Sequence, residues 1–303
     1  MGEASPGHAI NCTGKIDNIS LVFGGYDPDH TKLYLSRILQ MSSNGALKQV
    51  KVARNGFARN FMLKEDLFEE RVLVSCMSTK PNGPAFRLEF NPSKLGPEST
   101  ATVLSIVASD ILEGGTSELY ERARVTRFDV AFDLFGFSLS QAHFWANETS
   151  SSQTYNAVGM RTETLVFNQS KRRQVVVYDK AAERTSKGIQ PKVSPWTRIE
   201  VRKRNAGQLA ALKSTKCPFL DFHVSCRKKP ADISEATWVL INAASGPMML
   251  QAVLGQLPMS KRALVKNILK KHPLEGWNAA KLWKEWPTIV NESGLLAPVQ
   301  AQA

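Results

Sequence analysis

The alternation of apolar and polar positions divides this chain into a run of short elements. Ile16 to Phe23 is apolar and closes on Gly24-Gly25, the pattern of a strand and a turn. Asp29 to Met41 places Leu33, Leu35, Ile38 and Leu39 behind a capping Asp29, which predicts a helix. Strands are expected at Lys48 to Val52, Val72 to Met77 and Ala85 to Phe90, the last two separated by the turn-rich KPNGP. Ser99 to Glu113 predicts a second helix, stopped by Gly114-Gly115. Val125 to Phe135 reads as a strand, Ser140 to Thr149 as a short helix opened by a serine cap, and Ser150 to Gln153 as a polar break. Three strands follow at Glu163 to Phe167, Gln174 to Asp179 and Thr197 to Arg202, with the loop SKGIQPKVSP before the last. Beyond Pro230, Glu235 to Leu257 and Ser260 to Lys271 predict helices, and Trp277, Trp283 and Trp286 an aromatic cluster.

Strands outnumber helices before residue 230 and do not alternate with them one for one, as a doubly wound fold would require. Neither standard Gly-rich phosphate loop occurs. The expected class is therefore α+β, with a largely antiparallel sheet and a smaller helical C-terminal region. The expected organisation is a flexible arm over 1–14, an α+β domain over 15–230, a helical region over 231–290 and a flexible tail over 291–303.

Composition adds a partner class. The 303 residues are 43% hydrophobic, which excludes a disordered tail protein, and they carry a formal net charge of +12. That charge is localised. Lys171 to Arg204 holds eleven basic and three acidic residues, a net of +8, and Met259 to Lys284 holds seven basic and one acidic, a net of +6. The two segments together exceed the whole-chain value by two charges, so the remainder is slightly acidic. Basic residues interleaved with strand-like runs such as VVVY and TRIEVR point to a polyanion, with a solvated face as the plain alternative. Cysteines at 12, 76, 217 and 226 have no metal or redox spacing, so a reducing cytoplasm is expected. Neither a signal peptide nor a membrane span is expected.

Three strands carry candidate chemistry. In RFDVAFD (127–133), alternation separates Phe128, Val130 and Phe132 from Arg127, Asp129 and Asp133. In TRIEVR (197–202), it separates Ile199 and Val201 from Arg198, Glu200 and Arg202. In QVVVYDK (174–180), it places Tyr178 and Lys180 opposite Val175 and Val177. A sheet with one solvated face explains such strands by itself. Repeated Asp within a strand is unfavourable, however, and carboxylates gathered on one face suit a hard cation such as Mg²⁺ or Mn²⁺. RLEF (87–90) echoes RIEV (198–201), as a duplicated half-domain would.

RFDVAFD (127–133), VVVYDKAAER (175–184) and TRIEVRKR (197–204) together resemble the trans-acting Rep initiators of rolling-circle plasmids and filamentous phages, and the related relaxases of conjugative elements. The likeness covers about residues 85 to 205. TETLVFNQSKRRQ (162–174) is similar to the segment preceding the family's tyrosine motif, but Asn168-Gln169-Ser170-Lys171 stands where Gly-Ser-Arg is usual. The resemblance implies an antiparallel-sheet nicking domain in which Tyr178 is the nucleophile, assisted by Lys180. It implies metal ligation by Glu200, Asp129, Asp133 and Glu183, since the histidines at 8, 30, 143, 223 and 272 are too scattered for the paired-histidine motif of related enzymes. It further implies DNA contacts from Lys171, Arg172, Arg173, Arg198, Arg202, Lys203 and Arg204.

The expected reaction is metal-dependent transesterification at an origin, leaving a 5′-phosphotyrosyl link and a 3′-hydroxyl primer, with later rejoining of the strand. The implied partners are double-stranded origin DNA, the nicked single strand and a host helicase, with a homodimer left open. Competing readings are a conjugative relaxase of the same chemistry, a non-enzymatic DNA-binding regulator and a coat-associated protein.

Overall fold

The computed structural model describes residues 11–24, 28–52, 56–63, 68, 70–147, 151–156, 162–170, 172–229, 231–243, 250 and 254–296. Backbone contacts divide the chain into two compact units. A leading unit comprises Lys15–Val130, Lys203–Lys216 and the chain from Glu285 onward, and a central unit comprises the chain up to Gly14, Ala131–Arg202 and Cys217–Lys284.

The leading unit is built from β1 (Asn11–Phe23), α1 (Pro28–Ser43), β2 (Leu47–Gln49), β3 (Phe57–Leu63), β4 (Leu73–Ser78), β5 (Phe86–Phe90), α2 (Pro92–Leu95), α3 (Pro97–Ile106), α4 (Gly115–Arg122) and the start of β6 (Arg124–Phe135). Its strands run in the order β2-β3-β4-β5-β1-β6. The β1–β5 ladder is antiparallel and places Ile19 opposite Phe90, Leu21 opposite Leu88 and Phe23 opposite Phe86, so the apolar set of each strand shares one buried face. Helix α1 covers part of the core with Tyr34, Ile38 and Met41, spaced as one helical stripe. Phe23 stacks on Phe86 at 4.4 Å, and Tyr34 meets Phe86 edge-on at 5.7 Å. Gly24 leaves β1 at φ +73°, where an added Cβ would lie 2.9 Å from the Ala85 Cβ, so the turn requires glycine.

The central unit continues β6 through β7 (Ala142–Ala146), β8 (Ser151–Asn156), β9 (Thr162–Ser170), β10 (Arg173–Asp179), α5 (Lys180–Ser186), β11 (Trp196–Gln208), β12 (Phe222–Cys226), α6 (Glu235–Ala243), α7 (Met259–Lys271) and α8 (Ala279–Trp283). Its main strands run β6-β11-β10-β9-β8, while β7 and β12 pair separately and antiparallel. One side of the sheet buries Phe132 against Phe219 and Trp277, and Phe167 against Phe222. A second apolar cluster gathers Trp145, Trp238, Ile241, Val265, Ile268 and Leu269. It is pinned by Trp145 Nε1 donating to Ser225 Oγ at 3.0 Å and Ser225 Oγ donating to the Leu269 carbonyl at 2.9 Å.

The α+β, largely antiparallel architecture is the expected one. Its halves share a topology, since β1-β5-β4-β3-β2 and β6-β11-β10-β9-β8 follow the same chain order from the first strand outward. Residues 15–24 and 127–136 align without a gap through Lys-Ile-Asp and Arg-Phe-Asp to Phe-Gly, and Gly24 and Gly136 both sit at φ +73°. RLEF and RIEV fall on the equivalent strands β5 and β11.

Several local expectations change. The helix expected over 140–149 is a single 3₁₀ turn at Leu139–Gln141 followed by β7. Ser138 caps only that turn, and the aromatic run AHFWA then packs as strand. Residues 11–14, expected as a loose arm, begin β1, and Ser151 to Gln153, expected as a break, begin β8. Strands β3 and β12 and helices α4 and α5 were not anticipated. Of the expected helix over 235–257, α6 is present and residues 244–249 lie outside the described set. Trp277 and Trp283 flank Phe219 in the central unit, whereas Trp286 opens α9 (Trp286–Glu292) in the leading unit, 5.5 Å from Phe128, and donates to the Leu212 carbonyl. Among the described residues no helix is long and apolar enough to cross a membrane.

Candidate functional site

Tyr178 occupies the last outward position of β10. Val175 and Val177 are fully buried on the opposite face, which fixes the direction of the tyrosine, and the antiparallel register sets it opposite Thr164 of β9. The strand then passes directly into α5. Asp179 caps that helix by accepting from the Ala182 N–H at 2.9 Å. This change of element, rather than strand alternation, returns Lys180 toward the tyrosine, with its Nζ 5.6 Å from the Tyr178 ring centroid.

Glu200, on neighbouring β11, lies beside the phenol. Tyr178 Oη is 3.5 Å from Glu200 Oε2, the outer limit of a hydrogen bond. The other carboxylate oxygen accepts from Arg202 Nε at 2.7 Å. Arg202 also donates to Gln174 Oε1 at 3.3 Å, and Gln174 Nε2 donates to Asn168 Oδ1 at 2.7 Å. A polar chain thus crosses β11, β10 and β9 on the face bearing Tyr178. Gln174 and Asn168 were missed from sequence, although period two already set Gln174 on the face of Tyr178.

The remaining carboxylates are each committed to a cation. Asp133 is 1% exposed and accepts from Arg198 Nε at 2.7 Å, Arg198 NH2 at 2.9 Å and Trp196 Nε1 at 2.8 Å. Asp129, in the leading unit, is held at both oxygens by Arg127, at 2.8 and 2.5 Å. Glu183 binds Lys180 at 2.6 Å and also Lys187. Burial alone would raise the Glu183 carboxyl, but the two lysines together outweigh it and hold it below its ordinary value. Among the described residues, no three His, Cys, Asp or Glu side chains gather into a metal-binding group. The four expected ligands, as arranged, do not fit an ion site. Glu200 stands beside the tyrosine.

The expected DNA contacts also separate. Arg172 and Arg204 are exposed and Lys203 is half-buried. Arg173 is tied to Asp221 and to the Pro218 carbonyl. Arg198 is corrected: its side chain is 3% exposed in the Asp133 pair, so its guanidinium meets an interior carboxylate rather than a phosphate. Lys171 lies outside the described residues. Cys12, Cys76 and Cys217 do not compete as nucleophiles. Burial, with the Asp133 charge nearby, pushes the Cys12 thiol up to about 12, and burial pushes Cys76 to about 11 and raises Cys217.

No protein-family model matches the chain, and no curated protein matches it in sequence. Among solved structures, the chain is similar to a rolling circle replication initiator protein from Geobacillus stearothermophilus, with 12% identity, a TM-score of 0.45, and coverage of 78% of this chain and 97% of that one.

Proposed function

We propose that this protein initiates rolling-circle replication by nicking and rejoining one DNA strand, with Tyr178 as the nucleophile. The observation that carries the reading is the approach of Tyr178 Oη to Glu200 Oε2, with Lys180 beside the ring, in a segment bearing eleven basic residues. A tyrosine with a pKa of about 10 is a weak nucleophile at neutral pH, and a carboxylate at this position accepts its proton as the phenolic oxygen attacks phosphorus. The new bond joins Tyr178 Oη to the phosphate. The bond that breaks joins phosphorus to the 3′ oxygen, which departs with a proton as a 3′-hydroxyl. Lys180 and Arg202 offset the charge of the five-coordinate phosphate. Attack of a 3′-hydroxyl on the phosphotyrosine reverses the sequence and reseals the strand.

No step is routed through Mg²⁺ or Mn²⁺, because the carboxylates are bonded to arginine and lysine side chains in this arrangement. The test uses supercoiled cognate origin DNA with Mg²⁺, with Mn²⁺ and with EDTA, comparing the native chain with Tyr178→Phe. Native protein gives nicked circles and a covalent adduct, and the Phe variant gives neither. A Phe variant that still forms an adduct overturns the assignment. DNA binding without any adduct in the native chain favours a non-enzymatic DNA-binding protein.

A further inference from the structure

The leading unit holds two clefts, of about 700 and about 520 Å³, that share Gly24, Arg124 and Gly207 as walls. They open where β1 and β11 end and β6 begins. Asn82, Thr126 and Asn205 line the larger, and His30, Glu121 and Arg122 the smaller. Both volumes fall in the range of about 300 to 1,000 Å³ that ligand pockets occupy.

The described lining carries two arginines, Arg122 and Arg124, and one carboxylate, Glu121. Arg122 Nε is 3.2 Å from Glu118 Oε1, and Arg122 NH2 is 3.4 Å from His30 Nε2. Glu118 is buried and fixed from below by Tyr34 and by the backbone N–H groups of Glu113 and Gly114, at 2.8 and 2.6 Å. Burial works against its charge, but these hydrogen bonds and Arg122 prevail and keep the carboxyl below its ordinary value. A fixed carboxylate therefore positions Arg122 and His30 at the rim. Arg124 stands exposed on the shared wall. Gly207, where an added Cβ would meet nothing within 4 Å, presents bare backbone, which lets another chain approach closely. Among the described residues lining the two clefts the His30 imidazole is the one aromatic ring, so the cations there meet a backbone rather than a stacking platform.

We infer that this double cleft binds the sugar–phosphate backbone of single-stranded DNA without reading its bases. The ligand rests on the nicking proposal, which supplies a free strand; the site rests on the cleft itself. The test measures binding of a fluorescent oligo-dT strand, which contains no origin, to the full chain carrying Tyr178→Phe in EDTA. Adding Arg124→Gln weakens binding by about ten-fold and makes the slope of log affinity against log salt shallower by about 0.7. Arg124→Lys restores the slope. Lys213→Gln, at an exposed cation of the same unit that is not among the residues lining either cleft, changes neither quantity. Unchanged affinity and slope in Arg124→Gln overturn the inference. So does an equal loss of binding to a duplex of the same length, which assigns the cleft to duplex DNA, and so does displacement of the oligonucleotide by equimolar inorganic phosphate, which assigns it to the free ion. Because oligo-dT contains no origin and binding in EDTA is read rather than cutting, these outcomes are independent of whether Tyr178 is the nucleophile.

Discussion

Asp133 and Arg198 form the pair on which one residue change has the largest structural effect. Both are almost wholly buried and bonded through two contacts. Removing one partner strands a buried charge, so Asp133→Asn lowers unfolding free energy by about 3 to 5 kcal/mol in urea titrations, while joint replacement by apolar residues of similar volume recovers most of the loss. Glu200→Gln behaves differently. It keeps the shape of the side chain but removes the proton acceptor, so nicking falls by about 10² to 10⁴-fold while the urea midpoint changes little. His223, stacked on Trp145 at 4.2 Å, has its pKa lowered to about 4, first by burial and then by Lys270 and Lys266. Its folded value lies below its unfolded one, so its neutral form stabilises the fold above about pH 6.5, and that contribution is lost as pH falls toward about 4. Urea midpoints measured from pH 7 to pH 4 decline, and His223→Phe flattens the decline. At this scale the sequence displayed Tyr178 and Glu200, because strand alternation set each opposite an apolar pair. It did not display the burial of Asp129 and Asp133, since period two sorts side chains to faces without saying whether both faces of β6 are covered, as they are from Phe128 to Leu134.

Among the elements, β10 and α5 matter most, because they meet with no loop between them. The Asp179 cap is the joint, and it determines where Lys180 returns relative to the Tyr178 ring. Asp179→Ala removes the cap hydrogen bond, lowers stability by about 1 kcal/mol and reduces nicking more than the stability change explains, as measured by urea titration and a plasmid assay on the same preparation. Helix α5 escaped notice because KAAERTS is too short to show a full amphipathic stripe, and its cap lies inside a strand-like run. Strand β7 was hidden by a serine cap that serves one turn only. Strand β12 pairs with β7 alone, and its five residues carry too few alternations to stand out from the surrounding loop.

For the whole molecule, localised charge suggests a partner class but does not resolve individual contacts. Arg172 and Arg204 are exposed, whereas Arg198 spends its charge inside the protein. Replacing Arg172 or Arg204 by Gln therefore reduces the salt slope of duplex binding by about one each, while Arg198→Gln acts on the urea midpoint. The duplication was only faintly legible, as a four-residue echo, because the halves kept the path of the chain while exchanging side chains along it. Where β6 has Asp133, the aligned position of β1 is Leu21, and Arg87, the counterpart of Arg198, meets Glu89 on its own strand at 3.4 Å. Strand β4, which corresponds to β10, reads LVSCMS and has no tyrosine. The leading half is therefore a natural blank for protein engineers: a tyrosine grafted at Leu73 of β4, which pairs with Glu89 of β5, would ask whether the proposed Tyr178–Glu200 arrangement can be copied onto the equivalent strands.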